Sequence, residues 1–375
     1  MQFALFLCLA IVASAAANLA NECDKNFSIF MSKFHVRYPN ADEQSKRKSV
    51  FCENMKEADR LNELNGTPSF GVSKFSDRTR AEFSVLLGRK DMKKPVPTRP
   101  VRTPNFDGVT RFKANAAVVD WTAAGMVTPV KNQGQCGSCW AHSVTEQIES
   151  EWLLAGNAMW EFSVQQVTSC TTTTAGCGGG QTYLGFEYLM GIPESSGEGL
   201  GSGSWAPYIQ SMTTECLGSS CTEACSNLDI SILTSEAMLT GPLTTVSGYD
   251  YATPSCTIGK CSSQNVTLLA QNIASHGPAS ICVNAANWNM YTGGVMTEQA
   301  CGGMAAGNID HCVQLTGYNS EANPPYWIVR NSWATDWGVN GYIYLAFGEN
   351  TCGLANEATF VTLGNAAYAG KNGQI

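Results

Sequence analysis

Sixteen cysteines in 375 residues limit this chain more than any other feature. Cytosolic thiols are kept reduced, so such a count in a chain of ordinary globular composition points to an oxidising compartment and a fold stapled by disulfides. The N-terminus agrees. Residues 3–17, FALFLCLAIVASAAA, form one apolar run ending in small residues. That run is too short to span a bilayer and predicts a secretory signal over 1–20, cut between Ala15 and Ala20. No later stretch approaches ~18 uninterrupted apolar residues, so no membrane span is expected.

Charge divides the chain in two. Residues 1–113 carry 19 Lys and Arg against 12 Asp and Glu, whereas residues 114–375 carry only Lys131, Lys260, Arg330 and Lys371 against 19 acidic side chains. A basic N-terminal part should therefore attract the acidic remainder, and a chain this acidic overall should not seek nucleic acid.

Periodicity separates three regions. From about Asn26 to Asn65, Phe30, Phe34, Val50, Phe51, Met55, Ala58 and Leu61 recur mostly at helical spacing, and Glu43, Arg47, Phe51, Asn54, Ala58 and Asn62 share one helical stripe. Residues 88–113 hold four prolines and eight Lys or Arg, which predicts an extended, exposed and easily cut linker. Trp140, Val144, Ile148 and Trp152 then repeat at every fourth position, a helix with Cys139 at its start. Residues 193–265, rich in Gly, Ser and Cys, read as loop. PASICVNA, HCVQLTGY, YWIVRNSW and GYIYLAF, separated by Gly, Pro and Asn, read as strands of a mainly antiparallel β region.

The stretch QGQCGSCWAHS at 133–143 carries the chemistry. A thiolate is the nucleophilic form of cysteine, and a helix N-terminus favours that anion, which suits Cys139. Cys136, in the Gly-rich turn before it, reads as a structural half-cystine. Among four histidines, His35 lies in the N-terminal segment and His276 precedes a Gly-Pro turn, leaving His142 and His311 as proton carriers. Asn331 follows His311 by 20 residues, and an amide there could orient an imidazole. A thioredoxin-like oxidoreductase using Cys136 and Cys139 is the rival, but it needs a βαβ context that this stretch lacks.

The CGSCW segment with a distant His and Asn resembles the papain-like cysteine proteases, in their cathepsin L branch, with most similarity to the cruzipain-like protozoan enzymes. The N-terminal stripe resembles that family's inhibitory propeptide motif, with Ala58 where isoleucine is usual. GVSKFSD (Gly71, Ser73, Phe75, Asp77) resembles its second motif, with Ser73 replacing asparagine. The resemblance implies an α+β, two-domain papain-like fold, with a mainly helical left domain and an antiparallel β-barrel-like right domain. It implies an inhibitory propeptide over 21–113, cut near Lys113 to Ala116, and a peptidase domain over 114–375. The gaps from Cys139 to His311 and Asn331 are 172 and 192 residues, beyond the family's roughly 130 to 150, which implies a Cys-rich insertion within 193–265.

The same resemblance assigns roles residue by residue. Cys139 is the nucleophile, His311 the general base and acid, Asn331 the orienting amide, and Gln133 a donor to the oxyanion. Trp333 and Trp337 shield His311 and Asn331, Gly179 and Gly180 pair with extended substrate, and Asp310 presents its backbone carbonyl. Gln181, Thr182, Cys282, Ile309 and, at the far end, Glu357 line the pocket for the second residue before the scissile bond, accepting Phe or Leu and, through Glu357, Arg. The implied disulfides are Cys136–Cys177, Cys170–Cys216 and Cys301–Cys352, with two more among Cys221, Cys225, Cys256 and Cys261, and with Cys282 and Cys312 as buried free thiols. His142 stands where the family has phenylalanine, and is expected to pack beneath the cleft or pair with Glu146. Asn26, Asn65 and Asn265 begin glycosylation sequons. No cofactor or metal is implied, and the partners are protein or peptide substrates and the propeptide as inhibitor of a monomeric enzyme. Its location would be an acidic lysosome-like vacuole or the extracellular space. A catalytically silent binding protein on the same fold is the other alternative.

Overall fold

In the computed structural model, described for residues 22–67, 69–89, 96–106, 112–193, 196, 199–204, 206–209, 241–256, 259 and 261–369, the chain folds as a helical N-terminal layer laid across a larger helix-plus-sheet body. The signal expected at 1–20 lies outside the described residues, as do Cys216, Cys221 and Cys225.

Helix α1 (22–33) and helix α2 (Ala41–Asn65) form the first layer. Asn40 caps α2 by accepting the Glu43 N–H, and Gly66 ends it in the left-handed conformation, φ 73°, that glycine adopts without strain. Phe27, Phe30 and Phe51 form a small core between the two helices. A disulfide that the sequence reading did not foresee, Cys23–Cys52, ties them together. The polar half of the stripe does more than face water. Arg47 bridges Glu43 and Glu82 at 2.8 and 2.7 Å. Asn54 donates to the carbonyls of Ser76 and Arg78, and Asn62 accepts the N–H groups of Ser69 and Phe70. One helix face thus fixes the loop that leads to α3 (Arg80–Ser84), whose start is closed by a Thr79–Glu82 capping box.

The body has two cores. The first surrounds α4 (Cys139–Leu154), nearly all of which is buried, with α5 (Val164–Cys170) and α6 (Thr182–Met190); Trp140, Val144, Ile148 and Trp152 point into it. The second packs Trp288, Trp327, Trp333 and Trp337 with α7 (Val266–His276) against a mainly antiparallel eight-stranded sheet. Its strands are β1 (Val118–Asp120), β2 (Gly241–Tyr251), β3 (Ala279–Val283), β4 (Val295–Met296), β5 (His311–Asn319), β6 (Tyr326–Arg330), β7 (Tyr342–Ala346) and β8 (Thr359–Ala369). They run β2-β8-β3-β5-β6-β7-β4 with β1 on β5, an open path rather than a closed barrel.

Two expectations need correction here. The stretch 193–265 is not all loop, because β2 pairs with β8 from Gly241↔Ala369 to Tyr251↔Thr359. Pro242 to Val246 are buried in succession, so the first half of β2 carries no alternation to set it apart from its Gly- and Ser-rich context. The linker is not uniformly exposed either. Arg89 is buried, Val96 packs into the helical core, and Arg102 is held by hydrogen bonds to the body. Among the described residues, no helix is long and apolar enough to cross a membrane.

Candidate active site

Cys139 opens α4 beneath a Gly-rich turn, where Gly137 N donates to Cys177 O at 2.9 Å and Cys136 is bonded to Cys177. Cys136 therefore cannot serve as a redox partner for Cys139, which is the free cysteine among the described residues. His311 begins β5, and its Nε2 lies 2.8 Å from Asn331 Oδ1 at the end of β6, while its buried Nδ1 has no hydrogen-bond partner. The β5–β6 pairing, with Gln314 opposite Arg330, is what brings residues 20 apart into contact.

Gln133 is wired on both sides. Its Oε1 accepts from Ser332 Oγ at 2.7 Å and from Trp333 Nε1 at 3.0 Å, so its Nε2 must face the cleft, where it donates to Leu86 O at 2.8 Å. Trp333 also stacks on the His311 ring, with centroids 4.8 Å apart, and Trp337 packs edge-on behind Trp333. Trp288 covers the third side of His311 at 5.9 Å. Neither Ser332 nor Trp288 was found by sequence reasoning. The run NSW held the first in plain sight, whereas the second has no local signal.

The N-terminal layer fills this cleft with its own main chain. Phe75 and Phe83 pack edge-on against Trp333, each at 5.3 Å, and deliver Leu86 to Arg89 across the thiol. Gly88 O accepts from Gly180 N at 2.8 Å. The approach is so close that a Cβ on Gly88 would lie 1.7 Å from Gly137 O, and one on Gly179 would lie 2.2 Å from Gly88 O. Arg89 N donates to the Asp310 carbonyl at 2.9 Å, its guanidinium reaches Ile309 O at 3.3 Å, and it pairs with Glu357 at the pocket's far end. Gln181 and Thr182 are buried beside it, with Thr182 Oγ1 4.0 Å from Cys282 Sγ.

Burial under this plug governs protonation. It pushes the Cys139 thiol up to about 11, against the pull of the Cys312, Gly88 and Trp140 N–H groups. It also pushes His311 down to about 4, against its bond to Asn331. In the covered site both groups are neutral, and the helix N-terminus does not overcome desolvation of the thiolate.

Several cysteine and histidine expectations change. Cys282 and Cys312 are not free thiols; they face each other in the β3–β5 register and are bonded. Cys301 is bonded to Cys352 as the resemblance implies, Cys256 pairs with Cys261 within the set left open above, and Cys170 is disulfide-bonded. His142 does not pair with Glu146. Its Nδ1 sits 3.1 Å from the Ser138 carbonyl one turn back and its ring packs edge-on to Tyr208, while Glu146 turns to Arg330 at 3.5 Å. Burial drives His142 down to about 3, so it stays neutral. Asn65 is also not available as a glycan carrier in this fold. It is buried, donates to Val295 O at 2.9 Å and accepts from Thr297 N at 2.7 Å, clasping the N-terminal layer to the body. Asn265 is exposed and Asn26 is half-buried.

A buried thiol beside an imidazole–amide pair, under a self-supplied plug, defines a cysteine protease held in a zymogen. Comparison with known proteins agrees. Residues 115–362 match the pattern of the papain family cysteine proteases and residues 27–83 that of the cathepsin propeptide inhibitor domain, so the chain belongs to the papain family. It is similar to a cysteine proteinase of Trypanosoma brucei brucei, 32% identical over 95% of this chain and 70% of that protein. A digestive cysteine proteinase 2 of Homarus americanus is 30% identical over 95% and 98%. Among solved structures, digestive procathepsin L2 from Tenebrio molitor larval midgut superposes with a TM-score of 0.68 at 27% identity, covering 91% of this chain and 99% of that one.

Proposed function

We propose that the chain is the precursor of a secreted or vacuolar endopeptidase, with a signal over 1–20, a propeptide over 21–113 and a peptidase domain over 114–375. Once the plug leaves, water re-enters and the penalty on the Cys139–His311 ion pair falls. The Cys139 thiolate then attacks the scissile carbonyl, and the oxyanion takes hydrogen bonds from Gln133 Nε2 and the Cys139 N–H. His311 Nδ1 gives its proton to the departing amine, leaving an acyl-enzyme. Water attacks the thioester with His311 as base, the thiolate departs, and Asn331 keeps the ring aligned throughout.

One observation carries this reading: the plug crosses the cleft backwards. In a substrate, the residue in the Glu357 pocket precedes the carbonyl held by Gln133. In the plug, Arg89 follows Leu86 by three. The peptide units over the thiol are thereby reversed, which explains how a chain can fill the site without being cut. Arg89 beside Glu357 also supports a pocket that takes Arg as well as Phe or Leu. The disulfide linking Cys136 to Cys177 argues against the oxidoreductase reading.

The test is hydrolysis of a fluorogenic Phe-Arg peptide by the purified full-length protein after reducing incubation at pH ~4.5. Activity that appears with loss of the N-terminal layer, and that Cys139→Ala abolishes, is the expected result. A processed, folded protein that cleaves nothing would leave only a binding protein on this fold. Glu357→Gln should lower the Arg-over-Phe preference about tenfold, the worth of one charge-assisted pair.

A further inference from the structure

The linker makes a second, separate engagement with the body after leaving the cleft. Strand β2 ends the sheet order, and its outer edge takes Leu200 in a bridge at Thr244 and a second segment further along. At Tyr251 that edge is occupied by the linker, for Tyr251 N donates to Pro100 O at 2.9 Å and Arg102 N donates to Tyr251 O at 2.8 Å. Tyr251 Oη donates to Pro97 O at 3.0 Å. The prolines contribute only carbonyls, which is all they can offer, and so fit without a stranded donor.

Two arginines fill the flanking sites. Arg102 lies 3.3 Å from Asp250 and 4.0 Å from Glu151, with its guanidinium 5.1 Å from the Phe360 ring. Arg99 covers the Tyr249 ring at 4.5 Å and lies 3.8 Å from Glu187. Asn272 closes the slot by donating to Arg102 O at 2.9 Å. These acidic, aromatic and main-chain groups all belong to the body, and removal of the propeptide vacates them.

We propose that in the processed enzyme this slot is an exosite, which captures an extended, arginine-containing stretch of a protein substrate lying N-terminal to the cleaved bond. The proposal rests on the protease reading above. Substrate residues before the scissile bond run from the Glu357 pocket in the chain direction opposite to that of the linker, which is described again from Val96 onward. The linker reaches Pro97 eight residues after Arg89 and Arg102 thirteen after it. Arg99 and Arg102 follow Arg89 by ten and thirteen residues, so arginine roughly ten to thirteen residues before the pocket residue is in range. Reversal of direction is tolerated, because a single bridge to Tyr251 needs only one N–H and one carbonyl from either strand polarity. The body's excess of acidic over basic side chains favours the same partner.

The experiment uses processed enzyme with its cleft blocked by a thiol-directed inhibitor, and a labelled peptide of residues 96–106 (VPTRPVRTPNF) as probe. Saturable binding is expected, weakened about tenfold by Arg102→Ala in the peptide or by Glu151→Gln with Asp250→Asn in the protein. With the cleft open, the same protein variant should raise KM for a twenty-residue substrate carrying the upstream arginine, and leave a Phe-Arg reporter unchanged. Peptide binding that the substitutions do not weaken, or equal shifts for long and short substrates, would overturn the exosite. Absence of any hydrolysis would instead fail the protease reading, and the binding arm would still report on the slot.

Discussion

In the N-terminal layer most ion-paired carboxylates, Glu43, Glu57 and Glu82 among them, sit near the surface beside arginines, whereas in the catalytic body several lie inside. Glu82 is held down to about 2, chiefly by its hydrogen bond from Arg47. Glu146, Glu151 and Asp310 are each pushed up to about 7, chiefly by burial. The signs of the two contributions are opposite. A lowered carboxyl stabilises the fold above its unfolded value, near 4.3, and that contribution is lost as pH falls toward 2. A raised carboxyl contributes fully below about 4 and loses its contribution as pH rises through 7. Acid thus tightens the body while it begins to loosen the layer that covers it.

The strongest way to break this comparison is to ask whether latency depends on charge at all. Gly88→Val, whose Cβ would meet the Gly137 carbonyl, should unseat the plug without touching any ionisable group. We expect unprocessed protein to hydrolyse a Phe-Arg reporter at pH 7 about a hundredfold faster than the parent zymogen. An unchanged rate would mean that the layer inhibits through its electrostatics instead.

A second test removes the charge cluster of the layer. Arg47→Gln deprives Glu43 and Glu82 of their shared partner and should destabilise the N-terminal layer by about 2 kcal/mol. Limited proteolysis at neutral pH would read this as earlier cutting within 41–84, with the body left intact. The smallest effect concerns the body alone. Processed protein should melt about 5 °C higher at pH 5 than at pH 7.5, and Glu146→Gln, buried in the body away from the linker, should flatten part of that difference. A melting temperature that falls on acidification would remove the basis for the contrast.

The sequence is unequally informative about these two regions. The cysteine, histidine and asparagine of the site were legible because their roles demand particular residue types, and the apolar runs around them had clear periods. The stripe of α2 was visible as a stripe, but not as the scaffold that fixes residues 69–78, since Asn54 and Asn62 act on main-chain atoms that carry no sequence mark. The same blindness hid the docked linker. Proline and arginine are common in exposed segments, and only the slot at Tyr251 gives Pro100 and Arg102 a place. Cys282 and Cys312 looked free because disulfides follow strand register, and register is set by the whole sheet rather than by spacing. Strand β2 was missed for a related reason, as its partner β8 lies over a hundred residues away.

Gly88 lies over Cys139 as bare main chain, and Gly137, Gly179 and Gly180 receive it as bare main chain. Over the thiol the lock reads no side chains, whereas at its far end it leans on the buried Arg89–Glu357 pair. A change at Glu357 would therefore strand a buried guanidinium and loosen the precursor's own cover, so position 357 cannot drift unless position 89 drifts with it.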